Sequence, residues 1–187
     1  MTRIDLPNPR VVGIDPSLTA TGIADETGAH TIASGPGTPS LRVRHRRLAL
    51  IVHDINTRVL GVALGQPRAA LVTIEAPSLG QARQGGTLDR HGLWWLTVDR
   101  LTYHDLPVAE VPPATLKKFA TGKGNATKAD MRMALYQRTG ADVRDDNQVD
   151  AIWLRHLGLH LIGAPEIDLP KTHLAALAKV RDPREAP

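Results

Sequence analysis

Asp15 and Glu75 each close a short apolar run, VVGID and AALVTIE, and each is followed by a turn-forming pair, Pro16-Ser17 and Ala76-Pro77. If the two runs are neighbouring strands, both carboxylates project from one sheet edge. Asp150 lies inside the largely apolar stretch VDAIWL, with Asp146 four residues earlier and Asn147 three residues earlier. On a helix these three share a face. Carboxylates gathered without basic partners repel one another, and a divalent cation removes that repulsion. An all-oxygen donor set suits Mg²⁺, with Mn²⁺ as its substitute. Two such ions about 3.5–4 Å apart would activate water and stabilise the leaving oxygen of a phosphodiester. Each acid also has a plainer role. Asp15 suits a turn, Glu75 an exposed strand end, and Asp145 or Asp146 a helix N-cap. Asp150, amid apolar neighbours, is the acid that capping does not explain.

The bases are as unevenly placed. Residues 111–144 hold Lys117, Lys118, Lys123, Lys128, Arg132, Arg138 and Arg144 against Asp130 and Asp142 only. That local excess of five exceeds the whole-chain net charge of +4. Within it, Gly122-Lys123-Gly124-Asn125 allows a close approach to phosphate, and Thr127 opens a helix whose N-terminus favours anions. A second cluster is Arg42, Arg44, Arg46, Arg47 and Arg58, which is either a further phosphate track or the solvated side of a helix. His156 and His160 have the spacing of a zinc pair but no evident third ligand, so they read as partly buried helix histidines.

Elements that would position these groups follow from hydrophobic period. Short β-branched runs predict strands at 10–15, 19–24, 29–33, 69–75 and 106–111. Leu48, Ile51, Val52, Ile55, Val59 and Val62 recur at helical spacing within 39–64, with Gly65-Gln66-Pro67 as the stop. Further helices are expected at 88–101, from Pro112-Pro113 to Phe119, from Thr127 to about Arg138, and from Asp145 or Asp146 through Leu161. Trp94 and Trp95 fall on the second of these helices, one facing the core and the other the core or a dimer contact. The order β-β-β-α-β-α-β-α-α-α predicts an α/β fold, a mixed five-stranded sheet flanked by helices. A domain over 1–163 and a partly docked or mobile tail over 164–187 are the expected organisation.

The chain has 187 residues, 42% hydrophobic and 22% charged, which suits one folded domain. It has no cysteine, which excludes thiol catalysis and thiolate zinc sites and fits a reducing, cytoplasmic setting. No apolar run reaches the ~20 residues of a membrane helix, so no membrane partner is expected. Its Ala- and Arg-rich composition is what a GC-rich genome, actinobacterial or of an actinobacterial phage, would encode.

Four segments in order, VVGIDPSLTATGIAD, LVTIEAPS, GKGNATKADM and DDNQVDAIWLRHLG, resemble the RuvC family of Holliday-junction resolvases across about residues 10–161. The resemblance implies an RNase H-like fold, a homodimer, and Mg²⁺-dependent endonucleolytic cleavage of branched DNA, the four-way junction above all. The products would carry 5′-phosphate and 3′-hydroxyl ends. By position it implies catalytic and metal-ligating roles for Asp15, Glu75 and Asp150. Many relatives carry Asp or His where this chain has Asn147, so Asn147 and the adjacent Asp146 compete as fourth ligand, with Asn147 favoured by register. Lys117 and Lys128 match basic residues near the scissile strand, and Lys118, Lys123 and Arg132 extend that surface. The loop from Ser78 to Arg90 suits a lip at the junction centre. It lacks the aromatic wedge common in relatives and offers Gln81 and Arg83 instead. A protein that holds branched DNA without cutting it, or a nuclease for forks, flaps or RNA–DNA hybrids, is the alternative. A sugar-kinase or actin-like ATPase needs two such domains and more chain than this.

Overall fold

The computed structural model of the chain describes residues 9–35, 40–77 and 86–184. Five strands, β1 (Val11–Asp15), β2 (Ala20–Asp25), β3 (Gly28–Ala33), β4 (Leu71–Glu75) and β5 (Val108–Val111), form one sheet in the order β3-β2-β1-β4-β5. The first three are antiparallel neighbours, and β4 and β5 run parallel to β1. The helices are α1 (Leu41–Leu60), α2 (Thr87–Tyr103), α3 (Pro113–Thr121), α4 (Lys128–Thr139), α5 (Asp146–Leu161) and the short α6 (Lys171–Leu174). The mixed five-stranded sheet flanked by helices is the architecture expected from the sequence.

Both faces of the sheet are covered, which is why β1 is buried throughout and apolar up to Asp15 rather than alternating. Val12 and Ile14 pack with Val72, Ile74, Ile51, Ile55 and Leu93 beneath α1 and α2. Val11 faces the other way, with Leu71, Phe119, Met131, Trp153 and Leu157 from β4, α3, α4 and α5. Successive residues of one strand thus feed two cores.

Helix α5 lies unusually close to the sheet. A Cβ at Gly13 would stand 2.1 Å from the Ala151 carbonyl oxygen, and one at Gly22 would stand 2.0 Å from that of Asn147. Glycine is required at both positions for the helix to seat. The first helix ends earlier than its apolar period suggests. It stops at Leu60 because Gly61 takes a left-handed conformation (φ 72°) and donates to the Thr57 carbonyl, so Val62 belongs to a following 3₁₀ turn. The segment after α5 is built into the fold: Ala176 and Val180 are buried in the α3–α5 core, and His173 Nδ1 lies 2.9 Å from the Phe119 carbonyl.

Candidate active site

The parallel register pairs Ile14 of β1 with Ile74 of β4. Asp15 and Glu75 are the next residues on the two strands, so they leave the same sheet edge side by side. They share a hydrogen bond. Asp15 is 8% exposed and Glu75 half-buried. Burial, then the charges of Glu75 and Asp150, hold the Asp15 carboxyl well above the usual carboxylate range. Burial and the Asp150 charge push Glu75 up to about 7. Asp150 reaches the same edge from α5, and burial carries it to about 6 against the pull of Lys128. The three acids expected from sequence therefore come within electrostatic reach of one another, and loss of water is the main reason the pKa of each is raised.

Helix α5 is placed by its cap. The Asp145 side chain accepts from the backbone N–H of Asn147 (2.9 Å) and Gln148 (3.4 Å), and from the Thr31 hydroxyl of β3 (2.7 Å). Asp145 is the N-cap and Asp146 the first helical residue. The two candidates for a fourth ligand then separate. Asn147 packs its backbone over Gly22, the β2 residue paired with Asp15. The Asp146 carboxylate instead meets Lys128 at 3.1 Å and Arg132 at 3.3 Å.

Of the basic residues, Lys117 lowers the pKa of Glu75 and Asp150, and Lys128 does so for all three acids. Lys128 is positioned by a capping box, in which Thr127 and Asp130 exchange hydrogen bonds at the start of α4. Lys118 is half-buried one helical step, about 100°, around α3 from Lys117. Lys123 is exposed in the glycine-bearing loop, and Arg132 lies on α4 at Asp146. Gln81 and Arg83 lie outside the described residues. In the second basic cluster, Arg44 ties α1 to Asp89 of α2, and Arg47 holds the Ser34 hydroxyl (2.8 Å) and the Leu18 carbonyl. Two of its five arginines thus brace the fold.

One contact escapes sequence reading. The Trp94 indole N–H donates to the Glu75 carbonyl at 2.9 Å and fixes the backbone that carries this acid. A tryptophan on an amphipathic helix gives no signal beyond a core position. Its neighbour Trp95 is 65% exposed. His156 is buried, while His160 Nε2 lies 3.1 Å from the Ile167 carbonyl, so the pair serves the interior.

Among the described residues, no three His, Cys, Asp or Glu side chains form a ready-made metal cage. The fit to a divalent cation is one of chemistry: three carboxylates from β1, β4 and α5 converge as an all-oxygen donor set, and burial raises the pKa of each. Among the described residues no helix is long and apolar enough to cross a membrane.

No family model matches the chain. No curated protein matches it either. Solved structures do. RuvC of Thermus thermophilus superposes with a TM-score of 0.61 at 17% identity, covering 85% of this chain and 99% of that one. The T. thermophilus RuvC in complex with a Holliday junction substrate superposes with a TM-score of 0.59 at 20% identity, over 86% and 100% of the two chains. The chain therefore has the RNase H-like α/β fold of these RuvC structures.

Proposed function

We propose that this protein is a Mg²⁺-dependent endonuclease that resolves four-way DNA junctions as a homodimer. The observation that carries this reading is the convergence of Asp15, Glu75 and Asp150 at one sheet edge, within electrostatic reach of Lys128 and, for Glu75 and Asp150, of Lys117. The shared fold supports it, since one of the similar structures is a complex with a Holliday junction.

In this reading Asp15, Glu75 and Asp150 hold the metal, and Asn147 adds an amide oxygen from its place over Gly22. Bound Mg²⁺ would lower the pKa of water and neutralise charge on the phosphate under attack. Mn²⁺ would substitute for it. The protein's own contributions are distinct. Trp94 and the β1–β4 register fix the carboxylates. Lys117 and Lys128 hold the scissile phosphate, and Asp146 restrains Lys128 until DNA arrives. Lys118, Lys123 and Arg132 continue the phosphate track, with Gln81 and Arg83 at the junction centre. A twofold dimer would present two such sites to strands of like polarity. The exposed Leu88, Trp95 and Leu96 of α2 offer its apolar surface.

Labelled four-way junction, fork, flap, duplex and RNA–DNA hybrid, incubated with Mg²⁺ or Mn²⁺, test the reading. Wild type should nick the junction symmetrically, and Asp15→Asn should not. Equal cutting by Asp15→Asn overturns the site. Asn147 favours one second reading, a junction-binding protein without cleavage, because an amide brings no charge to the metal. Tight binding without nicking in either metal would establish it.

A further inference from the structure

A groove of about 620 Å³ lies between the outer face of α4 and the loop that leads into α5. Ala129, Met133, Tyr136 and Val143 supply its apolar wall, and Arg132 and Arg144 stand at its sides. Met133 and Tyr136 are each 56% exposed, three residues apart on one helical face. Among the described residues they join neither core, while α4 buries Met131 and Leu135 on its other side. Arg132 meets Asp146 at 3.3 Å, and Arg144 reaches Asp142 only at 3.9 Å with its side chain 89% exposed. Arg132 links the groove to the candidate active site, because Asp146 also meets Lys128 and its charge acts on Asp150.

An exposed aromatic ring flanked by two guanidinium groups matches an unpaired nucleotide. The ring offers a stacking face to any base, and the arginines suit the phosphates on either side. We propose that the α4 groove takes an unpaired nucleotide of the DNA strand leaving the carboxylate site, its base stacked on Tyr136 beside Met133 and its phosphates on Arg132 and Arg144. This rests on the nuclease reading for its ligand and deepens it. It assigns to α4 the base contact that the aromatic-free loop after β4 cannot make by stacking on a ring.

The test uses the full chain with Asp15→Asn as a non-cleaving background. Two probes carry 5-iododeoxyuridine, one beside the branch point of a four-way junction and one in a short single strand. Irradiation should cross-link Tyr136, located by mass spectrometry of the 132–144 region. Tyr136→Ala should weaken junction binding about tenfold, as expected for a lost base–aromatic stack, and Tyr136→Phe should keep it. The ring is exposed, so these variants should fold. Cross-linking of the single strand at Tyr136 by a protein that fails to cut junctions would uphold the groove while the nuclease reading fell. Junction cleavage by the wild type with no cross-link in this region, and unchanged binding by Tyr136→Ala, would overturn the groove and leave the nuclease standing. A change in oligomeric state on Tyr136→Ala without any cross-link would overturn it in favour of a contact between copies.

Discussion

Asp15 is buried, acidic and hydrogen-bonded to a second acid, a combination that folding alone would select against. Removing its charge should therefore stabilise the metal-free protein. Asp15→Asn is expected to gain about 1–2 kcal/mol at pH 8 without metal. Wild type should gain thermal stability on Mg²⁺ addition, and the variant should gain much less. Melting curves with and without Mg²⁺ check both, and a wild type indifferent to Mg²⁺ would contradict the ligand assignment. Asn147 makes a second prediction. Asn147→Asp should lower the Mg²⁺ needed for half-maximal cleavage, whereas Asp146→Asn should act on DNA affinity through Lys128; an unchanged Mg²⁺ titration for Asn147→Asp counts against its ligand role. The three acids were legible because a carboxylate at the end of an apolar strand, or amid an apolar helix, is chemically out of place. Trp94 was not legible, since its bond to the Glu75 carbonyl arises only when α2 packs against β4.

At the scale of elements, the seating of α5 on β1 and β2 decides whether Asp150 meets Asp15. The contact at Gly22 is with backbone at the first turn of the helix, next to the acids. At Gly158, far down the same helix, an added Cβ meets the Val11 and Thr73 side chains at 2.6 Å and 2.9 Å. Both substitutions to alanine overpack a close contact, at about 1–3 kcal/mol each. Their effects on chemistry should differ. Gly22→Ala should shift Asn147 and Asp150 and reduce cleavage about a hundredfold at saturating DNA. Gly158→Ala should lower stability with kcat nearly intact. Similar kcat losses from both would mean that α5 does not act as a local positioner. Strands and helices were readable from period and caps because each signal is local. Where α1 ends was not, because Gly61 competes with an apolar pattern that runs on through Val62.

Across the whole molecule, the pairings least visible in sequence hold the end of the sheet away from the acids and the segment after α5. Arg10 is buried with Asp25 at 2.8 Å and Glu26 at 2.9 Å, and Arg155 grips Glu166 through two bonds of 2.6 Å. Each joins residues that only the folded topology brings together. His156 lies beside the second pair, its Nδ1 4.0 Å from Glu166, and burial with the neighbouring Arg155 charge drives its pKa down to about 4. Folding must therefore keep this ring neutral. Between pH 6.5 and about 4 the unfolded chain binds a proton there that the folded chain refuses, so the contribution is intact above pH 6.5 and lost as pH falls toward 4. The raw stability curve mixes this with the opposite trend of Glu75, whose raised pKa favours the folded state at lower pH. The difference between wild type and His156→Gln cancels the Glu75 part. Measured by urea unfolding, that difference should move against wild type as pH drops through the window. A difference that stays constant would mean that the ring is charged or solvated, and that the Arg155–Glu166 clasp is open to water.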